Sequence, residues 1–156
     1  MRPVRPGRAL RARDVAASSQ VVDASAILPC LFPDEADDFS EQVGASLGTI
    51  ETWVPSIWRV ECANAIVMAH RRGRISAQRR IEIAADLEDT PVLMEDRAPT
   101  AGALVDLACR FGLTAYDAAY LELAVRRAAT LVTRDERLAA AARAARHPVR
   151  YRRARA

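Results

Sequence analysis

The sequence predicts an α/β fold, one three-layer α/β/α domain around a central, mainly parallel sheet. Three observations carry that expectation. Short apolar segments alternate with longer segments of helical spacing, and strands separated by helices pair in parallel through right-handed crossovers. The composition is 51% hydrophobic but only 5% aromatic, with 32 alanines, which suits a helix-rich globular chain. The length, 156 residues, is that of one domain with a sizeable core.

Residues 1–19 hold five arginines with proline and glycine and little apolar periodicity, so they are expected to form a flexible tail. The first strand is predicted at 20–22, where Gln20-Val21-Val22 runs into Asp23. A turn over 24–28 follows, then a helix over 34–47 with Phe39, Val43 and Leu47 at helical spacing. Residues 52–54 read as a strand stopped by Pro55. Ser56 is the expected cap of a long helix with Ile57, Val60, Ala63, Ile66 and Val67 on one side, ending at Gly73 after a basic turn. Ser76 opens a helix with Ile81, Ile83, Ala84 and Leu87, and 91–94 is a strand. Then come a helix over 100–111 closed by Gly112, a helix from Thr114 to 129, a strand at 130–133, a helix over 135–145 and an edge strand at 149–151. The folded domain is thus expected over 20–151, with 152–156 as a basic tail.

All 23 basic residues are arginine; the chain has no lysine. P-loop NTPases, Schiff-base enzymes and phospho-acceptor receiver domains, which depend on a lysine, are therefore excluded. The net charge of +3 hides an asymmetry: +4 over 1–20, +6 over 143–156, and −7 over 21–142. An acidic body with basic ends is not a surface for coating nucleic acid; it concentrates carboxylates. Cys30, Cys62 and Cys109 are odd in number and far apart, fitting neither a disulfide framework nor a zinc motif, and are expected to be small buried hydrophobes in a reducing cytoplasm. No apolar run approaches the ~20 residues of a membrane span. The N-terminus lacks the apolar segment of a secretory signal, so a cytoplasmic location is expected.

Doubly wound sheets gather functional groups at the carboxyl ends of their strands. Asp23 ends the first strand, Asp135 follows the strand at 130–133, Asp117 opens its helix, and Glu61 lies early in the helix after 52–54. Each has a local explanation: Asp23 as an N-cap, Thr114 with Asp117 and Thr133 with Glu136 as capping boxes, Asp135 favoured by the helix dipole, Glu61 as a solvated acid. As a set they are costly, because two carboxylates ~5 Å apart repel by about 3 kcal/mol at an effective dielectric of about 20. A divalent cation is the natural neutraliser, and all-oxygen ligation suits Mg²⁺ or Mn²⁺ rather than zinc. A hard cation held by carboxylates is the usual apparatus of phosphodiester hydrolysis.

Val21-Val22-Asp23-Ala24-Ser25-Ala26, followed by Pro55 to Asn64 around Glu61, resembles the opening half of a PIN domain. Leu113 to Ala124 around Asp117, then Leu131-Val132-Thr133-Arg134-Asp135-Glu136-Arg137-Leu138, resembles its closing half. The likeness covers residues 20–151 in order and is closest to the VapC-type ribonuclease toxins of type II toxin–antitoxin systems. It implies a Mg²⁺- or Mn²⁺-dependent endoribonuclease that cleaves tRNA or rRNA, leaving 5′-phosphate and 3′-hydroxyl ends. It also implies a cognate antitoxin and a homodimer. Carried over by position, Asp23, Glu61, Asp117 and Asp135 become the metal-binding catalytic acids, with Ser25, Asn64 and Thr133 as supporting residues. The departures from the family pattern are the arginine-rich start and the basic end.

Other residues carry two readings each. Arg59, Arg134 and Arg137 flank the acids, either to meet RNA phosphates or to face solvent; Arg150, Arg152, Arg153 and Arg155 form a basic end. Glu122 is a candidate outer acid. His70 and His147 lack ligand spacing, and Trp53 and Trp58 are expected in packing roles. The apolar faces 39–47 and 57–67 are core by default, or a groove for an antitoxin helix. Two rival functions remain: an aspartyl-nucleophile phosphatase, against which Asp23-Ala24-Ser25 lacks the D-x-D pattern, and a catalytically inactive PIN-fold module that binds RNA or protein.

Overall fold

The computed structural model describes residues 19–32 and 34–153. Five strands, β1 (Ser19–Val22), β2 (Glu51–Val54), β3 (Leu93–Met94), β4 (Thr130–Thr133) and β5 (Val149–Tyr151), form one sheet in the order β3-β2-β1-β4-β5. Every pairing is parallel. The helices among the described residues are α1 (Ala24–Leu31), α2 (Asp38–Ser46), α3 (Trp58–Arg71), α4 (Ala77–Glu88), α5 (Ala101–Phe111), α6 (Ala115–Arg127) and α7 (Glu136–Ala144). The expected three-layer α/β/α architecture is present.

β1 is the central strand. Val21 and Val22 point to opposite faces and yet both are fully buried, because helices cover each side of the sheet. Ile27, Val54, Trp58, Leu121, Leu131 and Leu138 join them in one core. Gln20, a polar residue in that interior, is satisfied by donating to the hydroxyls of Ser46 and Thr52, both at 2.9 Å. From β1 the chain builds outward through β2 and β3, then returns to the other flank with β4 and β5. The order therefore reverses between β1 and β4, and the crevice at their carboxyl ends is where such sheets bind ligands. No described helix is long and apolar enough to cross a membrane.

The expected caps Ser76, Thr100 and Thr114 each accept a backbone N–H at the start of their helix. Gly112 closes α5 at φ +66°, a left-handed conformation that costs glycine nothing. Several expectations are corrected. The turn over 24–28 is the helix α1, with Pro29 inside it; burial of Ala26, Ile27 and Pro29 outweighs one lost backbone bond. The helix expected from 34 begins at Asp38, because Asp37 is the cap that accepts the N–H groups of Phe39 and Ser40. Ser56 caps nothing: a turn from the Pro55 carbonyl to the Trp58 N–H precedes α3. The strand over 91–94 shrinks to two residues. Thr133 forms no capping box with Glu136, since it is wholly buried and Asp135 caps α7 instead.

Cys62 is buried as expected, but Cys30 and Cys109 are exposed. Cys109 lies on α5, a helix that packs along α6 and has no fully buried residue. The 39–47 face is core at Phe39 and Val43, whereas the 57–67 face is split: Ile66 is buried but Val60 and Val67 are exposed. Ser19, placed in the tail by its sequence, belongs to β1. The remaining tail residues 1–18 and 154–156 lie outside the described residues, and Arg152 and Arg153 are exposed beyond β5.

Candidate active site

Asp23 follows β1 directly, and its backbone N–H donates to the Val132 carbonyl of β4 at 2.9 Å. Its Oδ2 accepts two hydroxyls, from Ser25 and, at 2.7 Å, from Thr133. The Thr133 hydroxyl in turn accepts the Asp135 N–H at 2.9 Å. Two hydrogen bonds thus connect Asp23 with the start of α7, and the two acids stand on the same side of the sheet. Asp135 spends its Oδ1 on the Leu138 N–H at 2.7 Å.

The other two acids come from the helices. Glu61 lies in the first turn of α3, and its Oε2 accepts the phenol of Tyr120 on α6. Asp117 lies one turn before Tyr120, so both point from one side of α6. Its Oδ2 accepts the Thr114 hydroxyl at 2.7 Å, while Thr114 Oγ1 accepts the Asp117 N–H at 3.1 Å. Asp117 and Asp135 line one open basin together with Thr114, Glu136, Arg137 and Ala140.

Burial pushes the Asp23 carboxyl above its ordinary pKa; the Ser25 and Thr133 hydroxyls work against that rise, and the charge of Asp117 adds to it. Glu61 is raised as well, by burial first and then by the charges of Asp23 and Asp117, against the Tyr120 hydrogen bond. Cys62, next in sequence, is pushed up to about 12 by burial and by the charges of Glu61 and Asp23. Asp23, Glu61 and Asp117 therefore lie within one another's fields. Among the described residues, no ion pair reaches any of the four acids. Carboxylate oxygens with no arginine partner among the described residues fit a hard divalent cation in charge and chemistry. Their side chains do not close as a ligand group: among the described residues, no three acids, histidines or cysteines stand ready to hold a metal ion. Glu61, Asp117 and Asp135 each also accept a hydrogen bond from the protein.

Ser25 and Thr133 both donate a hydrogen bond to Asp23. Asn64 is exposed on α3, three residues past Glu61, and bonds to no described residue. Glu122 is not an outer acid of this group: five residues from Asp117 places it roughly 140° around α6, where Arg126 holds it at 2.7 Å. Arg59 is taken by Glu88 at 3.0 Å. Arg134 neither faces solvent nor awaits phosphate; it is buried against Asp37 and the ring of Phe39, and its backbone N–H donates to Ser25 Oγ at 3.0 Å. This ion pair and Tyr120 went unseen in the sequence. Tyr120 left one readable signal, its position one turn after Asp117. Trp58 is core, and Trp53 is stacked under Arg127. His70 and His147 bond to backbone carbonyls.

A profile of the PIN-domain family matches residues 21–144, most of the chain and all four acids. The chain belongs to the PIN-domain family. PIN domains are generally nucleases, and they typically use divalent metal ions. Solved structures share the fold of this PIN domain. PAE2754 from Pyrobaculum aerophilum is 23% identical with a TM-score of 0.59, over 81% of this chain and 87% of that one. FitAcB from Neisseria gonorrhoeae is 18% identical with a TM-score of 0.61, over 83% and 95%. FitAB bound to an IR36 DNA fragment is 19% identical with a TM-score of 0.54, over 85% and 94%. No curated protein matches the PIN domain in sequence.

Proposed function

We propose that this PIN domain is a Mg²⁺- or Mn²⁺-dependent endoribonuclease, a VapC-type toxin held inactive by a cognate antitoxin. Asp23, Glu61, Asp117 and Asp135 are the metal-binding acids, and Ser25, Asn64 and Thr133 support them. tRNA or rRNA is the substrate class, the cytoplasm the place of action, and a homodimer the assembly. One observation supports the reading: carboxylates from four separate segments lie towards the carboxyl edge of the sheet, and among the described residues none of them is held in an ion pair.

When bound, the cation supplies a Lewis acid and an activated water. The chain's own residues do the holding. Ser25 and Thr133 fix Asp23 by its Oδ2, and among the described residues no hydroxyl donates to its Oδ1. Tyr120 holds Glu61 by its Oε2, and Thr114 holds Asp117 by its Oδ2.

The test is cleavage of total RNA by purified protein with Mg²⁺, with sequencing of the new ends. Asp23→Asn and Asp117→Asn are expected to abolish cleavage and keep the fold. Undiminished metal-dependent activity in either variant overturns the assignment. A second reading, a catalytically inactive PIN-fold module that binds RNA or protein, is favoured by the absence of a closed ligand group among the described residues. Titration with Mn²⁺ by calorimetry separates the two: heat of binding in the parent, lost in Asp23→Asn, supports the nuclease, and no heat supports the module.

A further inference from the structure

A phosphate strand approaching Asp117 and Asp135 meets a cluster of carboxylates. The basin that holds them is also lined by Glu136, and all three carboxylates repel an anion. Among the described residues that line it, the single cationic side chain is Arg137. Three arginines flank the acids in sequence, and the structure separates them. Arg59 is engaged by Glu88, and Arg134 is buried on Asp37. Arg137 is exposed, and no ion pair, hydrogen bond or ring contact with a described residue engages its guanidinium.

That freedom has a physical edge. Arg137 is the second residue of α7, in the first turn, where the helix dipole disfavours a cation. The carboxylates of the same basin do not draw it into an ion pair either, so neither local structure nor pairing accounts for the charge there. A guanidinium carries a rigid fork of donors suited to phosphate oxygens. We propose that Arg137 binds a backbone phosphate of the RNA strand at the basin, and so holds the strand against acids that would otherwise repel it. The inference rests on the endoribonuclease reading and names the residue through which that site grips its substrate.

The test uses the full chain in an Asp23→Asn background, so that RNA is not consumed, with Mg²⁺ present. Binding of a fluorescein-labelled single-stranded RNA of mixed sequence is followed by anisotropy as salt is raised. Each phosphate contact on a single strand contributes about 0.7 to the slope of log affinity against log salt. Arg137→Gln is expected to weaken binding at low salt and to flatten the slope by about 0.7. Arg137→Lys is expected to restore most of the slope, and Arg59→Gln, already occupied by Glu88, to keep the parental one. Equal slopes for the Arg137→Gln and parental proteins overturn the proposal, as does an equal flattening by Arg59→Gln. If wild-type protein neither binds nor cleaves RNA, the endoribonuclease reading falls first. If it cleaves RNA and Arg137→Gln binds as the parent does, only the role of Arg137 falls.

Discussion

Replacing Arg134 by methionine tests how far one buried ion pair holds the candidate site in place. The side chains of Arg134 and Asp37 are 6% and 4% exposed. Removing one member of a buried pair costs about 3–5 kcal/mol, because the other charge is left without its partner. Two features put this site at the lower end. Asp37 keeps the N–H donors of Phe39 and Ser40, at 3.1 and 3.0 Å, and the pair lies close to the molecular surface. The expected loss is therefore about 3 kcal/mol, or about 6–12 °C in Tm for a domain of this size. The pH dependence has a definite sign. Arg134 holds the Asp37 carboxyl well below its ordinary value of 3.8. On acidification the unfolded chain takes up that proton first, so the contribution of the pair is full above the unfolded value and is lost as pH falls towards the folded one. The gap between parent and Arg134→Met is expected to close on acidification below about pH 4. Urea unfolding followed by circular dichroism, at neutral pH and stepwise downward, measures both quantities. Adding Asp37→Ser, which keeps a capping oxygen and removes the orphaned charge, is expected to recover much of the loss. A loss below about 1 kcal/mol at neutral pH, or a gap that persists unchanged to about pH 3, refutes the reasoning.

Asp23→Asn is expected to raise Tm at neutral pH in EDTA while it removes activity. The raised pKa means that the native state binds this proton more tightly than the unfolded chain, so ionisation erodes stability as pH climbs from 3.8 through the folded value; a lower Tm than the parent at neutral pH contradicts this. Mg²⁺ or Mn²⁺ at a hundredfold excess over its Kd is expected to stabilise the parent by about 2.7 kcal/mol, reversibly with EDTA, and to leave Asp117→Asn unmoved. A thermal scan that shows no shift in the parent counts against cation binding. Tyr120→Phe removes a donor to the half-buried Glu61, which water can partly replace, so a loss of about 1.5 kcal/mol is expected. An unchanged unfolding midpoint would show that the phenol holds nothing.

Local chemistry was readable in the sequence and distant pairing was not. The strand at 130–133 and the caps Ser76, Thr100 and Thr114 stand where periodicity and capping rules place them, because those rules act over three or four residues. The four acids could be put on one edge because parallel topology dictates where strands end. Arg134 looks like any other of the 23 arginines, and nothing within a turn of it reveals Asp37, 97 residues away. Tyr120 meets Glu61 across 59 residues, a contact that only the tertiary fold creates. The turn expected over 24–28 is instead a helix, because tertiary burial of Ala26, Ile27 and Pro29 is not legible in local sequence.

Of the five described strands, the middle one of the sheet is made before the other four. β1 finds one neighbour in β2 about thirty residues on, but its other neighbour, β4, is supplied only when Gln20 meets Thr130. Thr133 reaches Asp23 across 110 residues of intervening chain. A nascent or prematurely terminated polypeptide that stops before β4 therefore carries three of the acids without the fourth and without the hydroxyl that steadies the first. Whatever chemistry the completed edge performs, the order of synthesis withholds it until β4 and Asp135 have been made.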